Sequence, residues 1–246
     1  MLLPDGITAC LFDLDGVLTQ TTKVHAKAWK RMFDEFLHGW YARAGEPFCE
    51  FALPEDYERY VDGKPRRDGV RSFLQSRAIE LPEGAADDPP EADTIYGLGT
   101  RKNDLVTALI RDEGVDAFPD AVAFVKYARE RGLRRAVVSS SANAQEVLIA
   151  AGIADLFEAR IDGVVAEREH LAGKPAPDTF LAGARVLGVE AAQAAVFEDA
   201  EAGVQAGRAG SFGLVVGIDR TGHAEVLREH GADVVVRELT ELLERS

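Results

Sequence analysis

Cysteine is scarce: Cys10 and Cys49 are the only two among 246 residues, and they form no disulfide or metal-ligand spacing pattern. No uncharged apolar run approaches the roughly 18 residues of a membrane span. The N-terminus carries Asp5 and Gly6, with no Lys or Arg before the first apolar run, so a secretory leader is not expected. Positive charge is in deficit, with 28 Lys and Arg against 42 Asp and Glu for a net charge of −14. That balance argues against a nucleic-acid or anionic-membrane surface as the main partner. No internal repeat is present. The expectation is a soluble, reduced, cytoplasmic protein, 46% hydrophobic. A chain of this length buries about 70–75% of its unfolded surface and needs no covalent staple.

What is present is patterning. Ile7–Phe12 is a continuous apolar run stopped by Asp13, as a strand buried on both faces requires. From Val24 to Trp40 the spacing turns helical: Val24, Ala28, Met32 and Phe36 recur at i, i+4, with Trp29, Phe33, Leu37 and Trp40 beside them. Asp56–Val61, Arg67–Ile79 and Ala92–Ile110 also read as helix, and acidic Glu83–Asp93 as an exposed loop. No strand-like run occurs between about residues 22 and 112.

After Phe118 the spacing predicts a helix from Pro119 to Gly132, a strand at Ala136–Val138, a helix at Ala142–Ala151 and a weaker strand at Ile161–Val165. Helix Pro177–Leu187, strand Ala194–Phe197, helix Ala200–Ala209 and strand Phe212–Ile218 follow. Helix Ala224–His230, strand Asp233–Val236 and a short terminal helix complete the pattern. Such alternation means βαβ units. The predicted fold is α/β: a Rossmann-like, doubly wound parallel sheet core of residues 1–21 and 113–246, with an inserted all-helical cap domain at 22–112.

Ligands of an open α/β sheet bind beyond the carboxyl ends of its strands. The first strand runs into Asp13-Leu14-Asp15-Gly16, the second into Ser139-Ser140-Ser141, and the fourth into Glu198-Asp199. Lys174 sits in the loop after the third. Carboxylates gathered on one edge repel unless a cation joins them, and an oxygen-only donor set suits Mg²⁺. Phosphate oxygens would then meet Ser139, backbone N–H groups and Lys174. Asp13 could attack phosphorus, and Asp15 could serve as acid and base. Taken singly, each residue has a plainer reading: D-x-D as a loop pair, Ser139–Ser141 and Asp199 as helix caps, Lys174 as a solvated side chain. Their joint order along successive strand ends favours chemistry.

These segments resemble the four signature motifs of the haloacid dehalogenase superfamily: Phe12–Thr19, Val138–Ser141, Gly173–Asp178 and Phe197–Gly203. The resemblance implies Asp13 as nucleophile, Asp15 as general acid/base, and Ser139, Ser140 and Lys174 on the phosphate. It implies Mg²⁺ on Asp13, Asp15 (through its carbonyl), Glu198 and Asp199. Asp15 is absent from true dehalogenases, whose halide leaves without a proton, so its presence implies phosphoryl transfer.

Within the superfamily the chain is similar to the β-phosphoglucomutase branch. Thr21, His25, Ala28, Trp29 and Lys30 resemble its hinge, and Gly63-Lys64-Pro65-Arg66 and Arg101-Lys102-Asn103-Asp104 its cap motifs. This implies substrate contacts from His25, Gly63, Arg66, Lys102, Ser141 and Asn143. On the residues alone, Arg66, Arg67 and Lys102 read as a solvated helix face. One departure is Ala142, where the family often has lysine.

The implied activity interconverts β-D-glucose 1-phosphate and glucose 6-phosphate through an aspartyl phosphate and β-glucose 1,6-bisphosphate. The alternatives are a sugar-phosphate phosphatase of the same superfamily and a non-catalytic binding domain. The implied partner is a small-molecule sugar phosphate, with no nucleic acid, membrane or obligate protein partner.

Overall fold

The structure, a computed structural model, describes residues 3–243. In chain order, β1 (Ala9–Phe12) precedes α1 (Thr22–Ala44), a π-helical turn (Tyr57–Val61), α2 (Arg66–Ser76) and α3 (Ile95–Glu113). Then come α4 (Pro119–Glu130), β2 (Arg134–Val138), α5 (Ala144–Ala150), β3 (Ala159–Ile161), α6 (Gly163–Arg168) and α7 (Asp178–Val186). The chain closes with β4 (Ala194–Glu198), α8 (Glu201–Ala209), β5 (Leu214–Ile218), α9 (Ala224–Glu229) and β6 (Val234–Val236). It divides into two compact units, Met1–Thr21 with Val115–Ser246, and Thr22–Gly114.

The first unit is built on a six-stranded sheet in the order β3-β2-β1-β4-β5-β6, parallel throughout. β1 lies between β2 and β4, so the chain winds away from it on both sides and leaves a switch point at its carboxyl end. All four β1 residues are fully buried, which is why the run is apolar without alternation. Phe12 and Phe197 are register partners whose rings stack at 4.6 Å, with Phe124 of α4 against both. This aromatic cluster fixes the register one residue before Asp13 and Glu198, and Asp13 N–H donates to Phe197 O at 2.9 Å. Cys10 is core material: burial pushes its thiol up to about 12.

Two sequence expectations are corrected here. Val164 and Val165 lie on α6, not on a strand, because Asp162 caps that helix by accepting from Val165 N–H at 2.9 Å. The cap outweighs the local β preference of two valines. The predicted terminal helix is a 3₁₀ turn, Leu239–Leu242. Boundaries shift elsewhere: α5 begins at Ala144 rather than Ala142, and α3 begins after Thr94, whose hydroxyl accepts from Gly97 N–H at 2.9 Å.

The second unit is helical, with no strand among its residues. The apolar stripe of α1 buries Trp29, Phe33, Phe36 and Leu37 against α2 and α3. Phe33 is the hub, with ring centroids 4.2 Å from Phe73, 5.1 Å from Phe51 and 5.3 Å from Trp29. Each buried ring of this kind contributes about 1.5–3 kcal/mol. Among the described residues no helix is long and apolar enough to cross a membrane.

Candidate active site

Lys174 organises the sheet edge. It lies in the loop before α7, fully buried, with its Nζ 4.8 Å from the Phe180 ring centroid. Its ammonium donates to Asp13 Oδ1 at 2.5 Å, to Glu198 Oε1 at 2.5 Å and to Val138 O at 3.1 Å. One cation thus ties together the ends of β1, β2 and β4. Burial pulls the ammonium down, but Asp13 and Glu198 outweigh it and hold the pKa above the ordinary lysine range. Burial likewise pushes the Glu198 carboxyl up to about 7, against the lowering pull of Lys174. The lysine is therefore not the solvated side chain its proline neighbour suggests.

Asp15 sits in a tight turn after β1. Gly16, at φ +85°, donates to Thr19 O at 2.8 Å, a conformation that glycine adopts without strain. Thr19 Oγ1 lies 2.8 Å from Thr21 Oγ1, and Thr21 in turn donates to Asp15 Oδ1. A chain of hydroxyls therefore orients this carboxyl from the first residues after the turn.

Beyond β2, Ser139 is buried, and its Oγ accepts from Ser141 N–H at 3.0 Å. Ser141 Oγ accepts from Asn143 N–H at 3.2 Å. The serines build a turn rather than cap α5, and Ser140 lies within that turn. A β-carbon on Gly163 would stand 3.0 Å from Ser140 O and from Ala142 N, so the loop packs onto a bare backbone.

In the helical unit, Lys102 is buried, with Nζ 3.0 Å from His25 Nδ1 and 4.9 Å from the Trp29 ring centroid. The ammonium donates, so the imidazole is neutral with its proton on Nε2. Burial, and then the Lys102 charge, holds the His25 pKa well below its ordinary value. The Arg66 side chain lies against Gly99, and Gly63, at φ +67°, precedes α2. The neighbouring cations go elsewhere: Arg67 donates to Tyr96 Oη, Lys64 to Ser72 Oγ, and Arg101 to Pro90 O.

The model of the haloacid dehalogenase-like hydrolases matches residues 7–210 of this chain. The chain belongs to that family. Family membership makes it an enzyme of the haloacid dehalogenase superfamily, with the α/β core just described. Along 244 residues, 98% of this chain and 93% of its relative, it is 56% identical to a β-phosphoglucomutase of Mycobacterium tuberculosis. It is 29% identical over 207 residues to a fructose-1-phosphate phosphatase of Escherichia coli, covering 83% of this chain and 93% of the relative. In fold it resembles a β-phosphoglucomutase from Clostridium difficile, with a TM-score of 0.73 over 96% of this chain and 93% of that one at 24% identity.

Within this family site, Asp13, Glu198 and Asp199 bring carboxylate oxygens within 4.8 Å of one another. A hard divalent cation fits such an all-oxygen set. Glu198 has both oxygens engaged, Oε1 with Lys174 and Oε2 with Ala200 N–H at 3.1 Å.

Sequence reasoning did not foresee the Thr21 hydroxyl on Asp15, although the alternation Asp15, Thr19, Thr21 on one side of a turn was a readable signal. It also gave no role to Gly203, whose bare Cα makes room for Glu198.

Proposed function

We propose that this chain is a Mg²⁺-dependent β-phosphoglucomutase, interconverting β-D-glucose 1-phosphate and glucose 6-phosphate. The observation that carries this reading is the 56% identity, along 98% of the chain, to a protein named for that activity. The Asp13–Lys174–Glu198 cluster supplies matching chemistry.

In the proposed reaction Asp13 attacks phosphorus and becomes an aspartyl phosphate. Lys174 fixes that carboxylate through Oδ1 and offsets charge as it develops. Asp15, steadied by Thr21, gives a proton to the departing sugar oxygen and takes one from the entering hydroxyl. Ser139 and Ser140 hold phosphoryl oxygens. Mg²⁺, held by Asp13, the Asp15 carbonyl oxygen and Asp199 with Glu198 in support, would neutralise phosphoryl charge. Residues 1–21 and 113–246 act as catalytic core and 22–112 as cap. Arg66 holds the phosphate that is not reacting, while His25, Gly63, Lys102, Ser141 and Asn143 recognise the sugar phosphate. Exclusion of water from the aspartyl phosphate separates a mutase from a phosphatase. The setting is the cytoplasm, with no nucleic acid, membrane or obligate protein partner.

The kinship with the E. coli phosphatase supports a second reading, in which water attacks the aspartyl phosphate. Phosphorus NMR with Mg²⁺, β-glucose 1-phosphate and a trace of β-glucose 1,6-bisphosphate separates the two. Glucose 6-phosphate formed faster with the bisphosphate is the expected result. Inorganic phosphate as the sole product overturns the mutase reading.

A further inference from the structure

Arg220, in the loop after β5, is tied to the turn that carries Asp15. Asp219 fixes that loop, its Oδ1 accepting from the N–H groups of Thr221, Gly222 and His223 at 3.3, 2.5 and 2.8 Å. From it the Arg220 side chain, only 17% exposed, lays its guanidinium 4.0 Å from the Phe118 ring centroid. It donates to Arg237 O and Asp120 Oδ2, each at 2.9 Å, and reaches Gly16 O at 3.5 Å.

Two of these partners bound the Asp15 turn. Gly16 follows Asp15 directly. Phe118 N–H donates to Leu18 O at 2.9 Å, and the neighbouring Ala117 pairs with Thr19 in an antiparallel bridge. The turn is therefore held by the 117–118 backbone and by a guanidinium that itself lies over the Phe118 ring. An ion pair with Asp120 alone would need neither the ring nor the Gly16 carbonyl. A planar fork that stacks on a ring and serves several acceptors at once is what arginine offers and lysine does not.

We propose that Arg220 is a positioning residue for Asp15, clamping the Gly16–Leu18 turn so that the Asp15 carboxyl meets the oxygen it protonates. Thr21 orients the same carboxyl through its side chain, and Arg220 does so through the backbone. The proposal rests on Asp15 as proton donor, as in the function proposed above, but not on the identity of the sugar.

The test compares two phosphoryl donors with the Mg²⁺-loaded enzyme. An alkyl phosphate ester needs a proton on its leaving oxygen, whereas acetyl phosphate releases acetate without one. For Arg220→Ala, kcat on the sugar-phosphate ester should fall about 10- to 100-fold with KM little changed, the penalty of a slightly misplaced group. Phosphorylation of Asp13 by acetyl phosphate, followed by phosphorus NMR, should change less than about twofold, because Asp15 has no proton to supply there. Adding Arg220→Ala to Asp15→Asn should cost nothing further on the ester.

A cleft of about 420 Å³, lined by Arg220 with Thr221, Arg237 and Glu238, gives methylguanidinium a path to the vacated place, so partial rescue is expected. If Arg220→Ala does not fold, Arg220→Lys carries the test, with a smaller loss confined to the ester. Equal losses with both donors, or no loss with either, overturn the proposal. A wild-type enzyme that cleaves alkyl phosphates but leaves β-glucose 1-phosphate unconverted overturns the mutase reading alone.

Discussion

A β-carbon placed on Gly203 would stand 1.7 Å from Glu198 Oε1 and 1.9 Å from its carboxyl carbon. The first turn of α8 thus passes so close to the end of β4 that only a bare backbone leaves room for the carboxylate paired with Lys174. Gly203→Ala must push Glu198 aside. We expect about 1–3 kcal/mol of destabilisation from overpacking and a loss of turnover on the order of 100-fold from the displaced cluster. Urea unfolding and steady-state kinetics check both, and near-wild-type activity would show that Glu198 can move without consequence.

Lys174 serves two carboxylates and a carbonyl in a fully buried place. Replacing it with Met keeps the volume but leaves Asp13 and Glu198 facing each other without a cation. Breaking a buried pair from one side costs about 3–5 kcal/mol. Lys174→Met should show that loss by chemical denaturation together with loss of Asp13 phosphorylation by acetyl phosphate. Full stability would sink the account of the cluster.

His25 has a folded pKa well below its ordinary value through burial and the Lys102 charge. The unfolded chain therefore binds a proton on His25 at a higher pH than the folded one does. Below the unfolded value of about 6.5 the unfolded state gains protons that the native state refuses, so stability falls as pH drops. The fall levels off once pH passes below the folded pKa. Melting temperatures between pH 7 and pH 5 should drop more for the wild type than for His25→Gln, and parallel curves would refute the assignment. Lys102→Met should raise the His25 pKa, read by NMR titration.

Asp13, Glu198 and Asp199 form the carboxylate cluster, in which Asp13 and Glu198 are buried and Asp199 is half-buried. Ligand that binds only the folded state raises apparent stability by mass action, by about 2.7 kcal/mol at a hundredfold excess over Kd. Mg²⁺ should therefore raise the melting temperature of the wild type. Asp199→Asn should lose most of that shift while keeping the melting temperature measured in chelator. An unchanged Mg²⁺ response in the variant would place the ion elsewhere.

The parallel α/β core was legible because strands buried on both faces read as unbroken apolar runs, as Ala9–Phe12 and Ala194–Phe197 do. The helices of residues 22–114 were legible because α1 buries one stripe at i, i+4 spacing. The reading failed at Val164 and Val165, where a cap from Asp162 decided the matter against side-chain preference. Asp13, Ser139 and Glu198 could be placed at strand ends by counting. That Lys174 would be buried could not be, since a lysine before proline carries no local sign of its acceptors.

The sequence by itself determined the order and type of most elements, and with them the edge of the sheet at which chemistry-bearing residues gather, because periodicity reports burial along one segment. The tertiary structure decided which side chains meet there. Lys174 reaches Asp13 across 161 residues of chain, and Arg220 reaches Asp120 and Gly16 across 100 and 204. Such pairings depend on how strands order themselves in the sheet and how loops close over their ends. No local pattern encodes that, because each partner's own segment satisfies its backbone hydrogen bonds and burial without reference to the other.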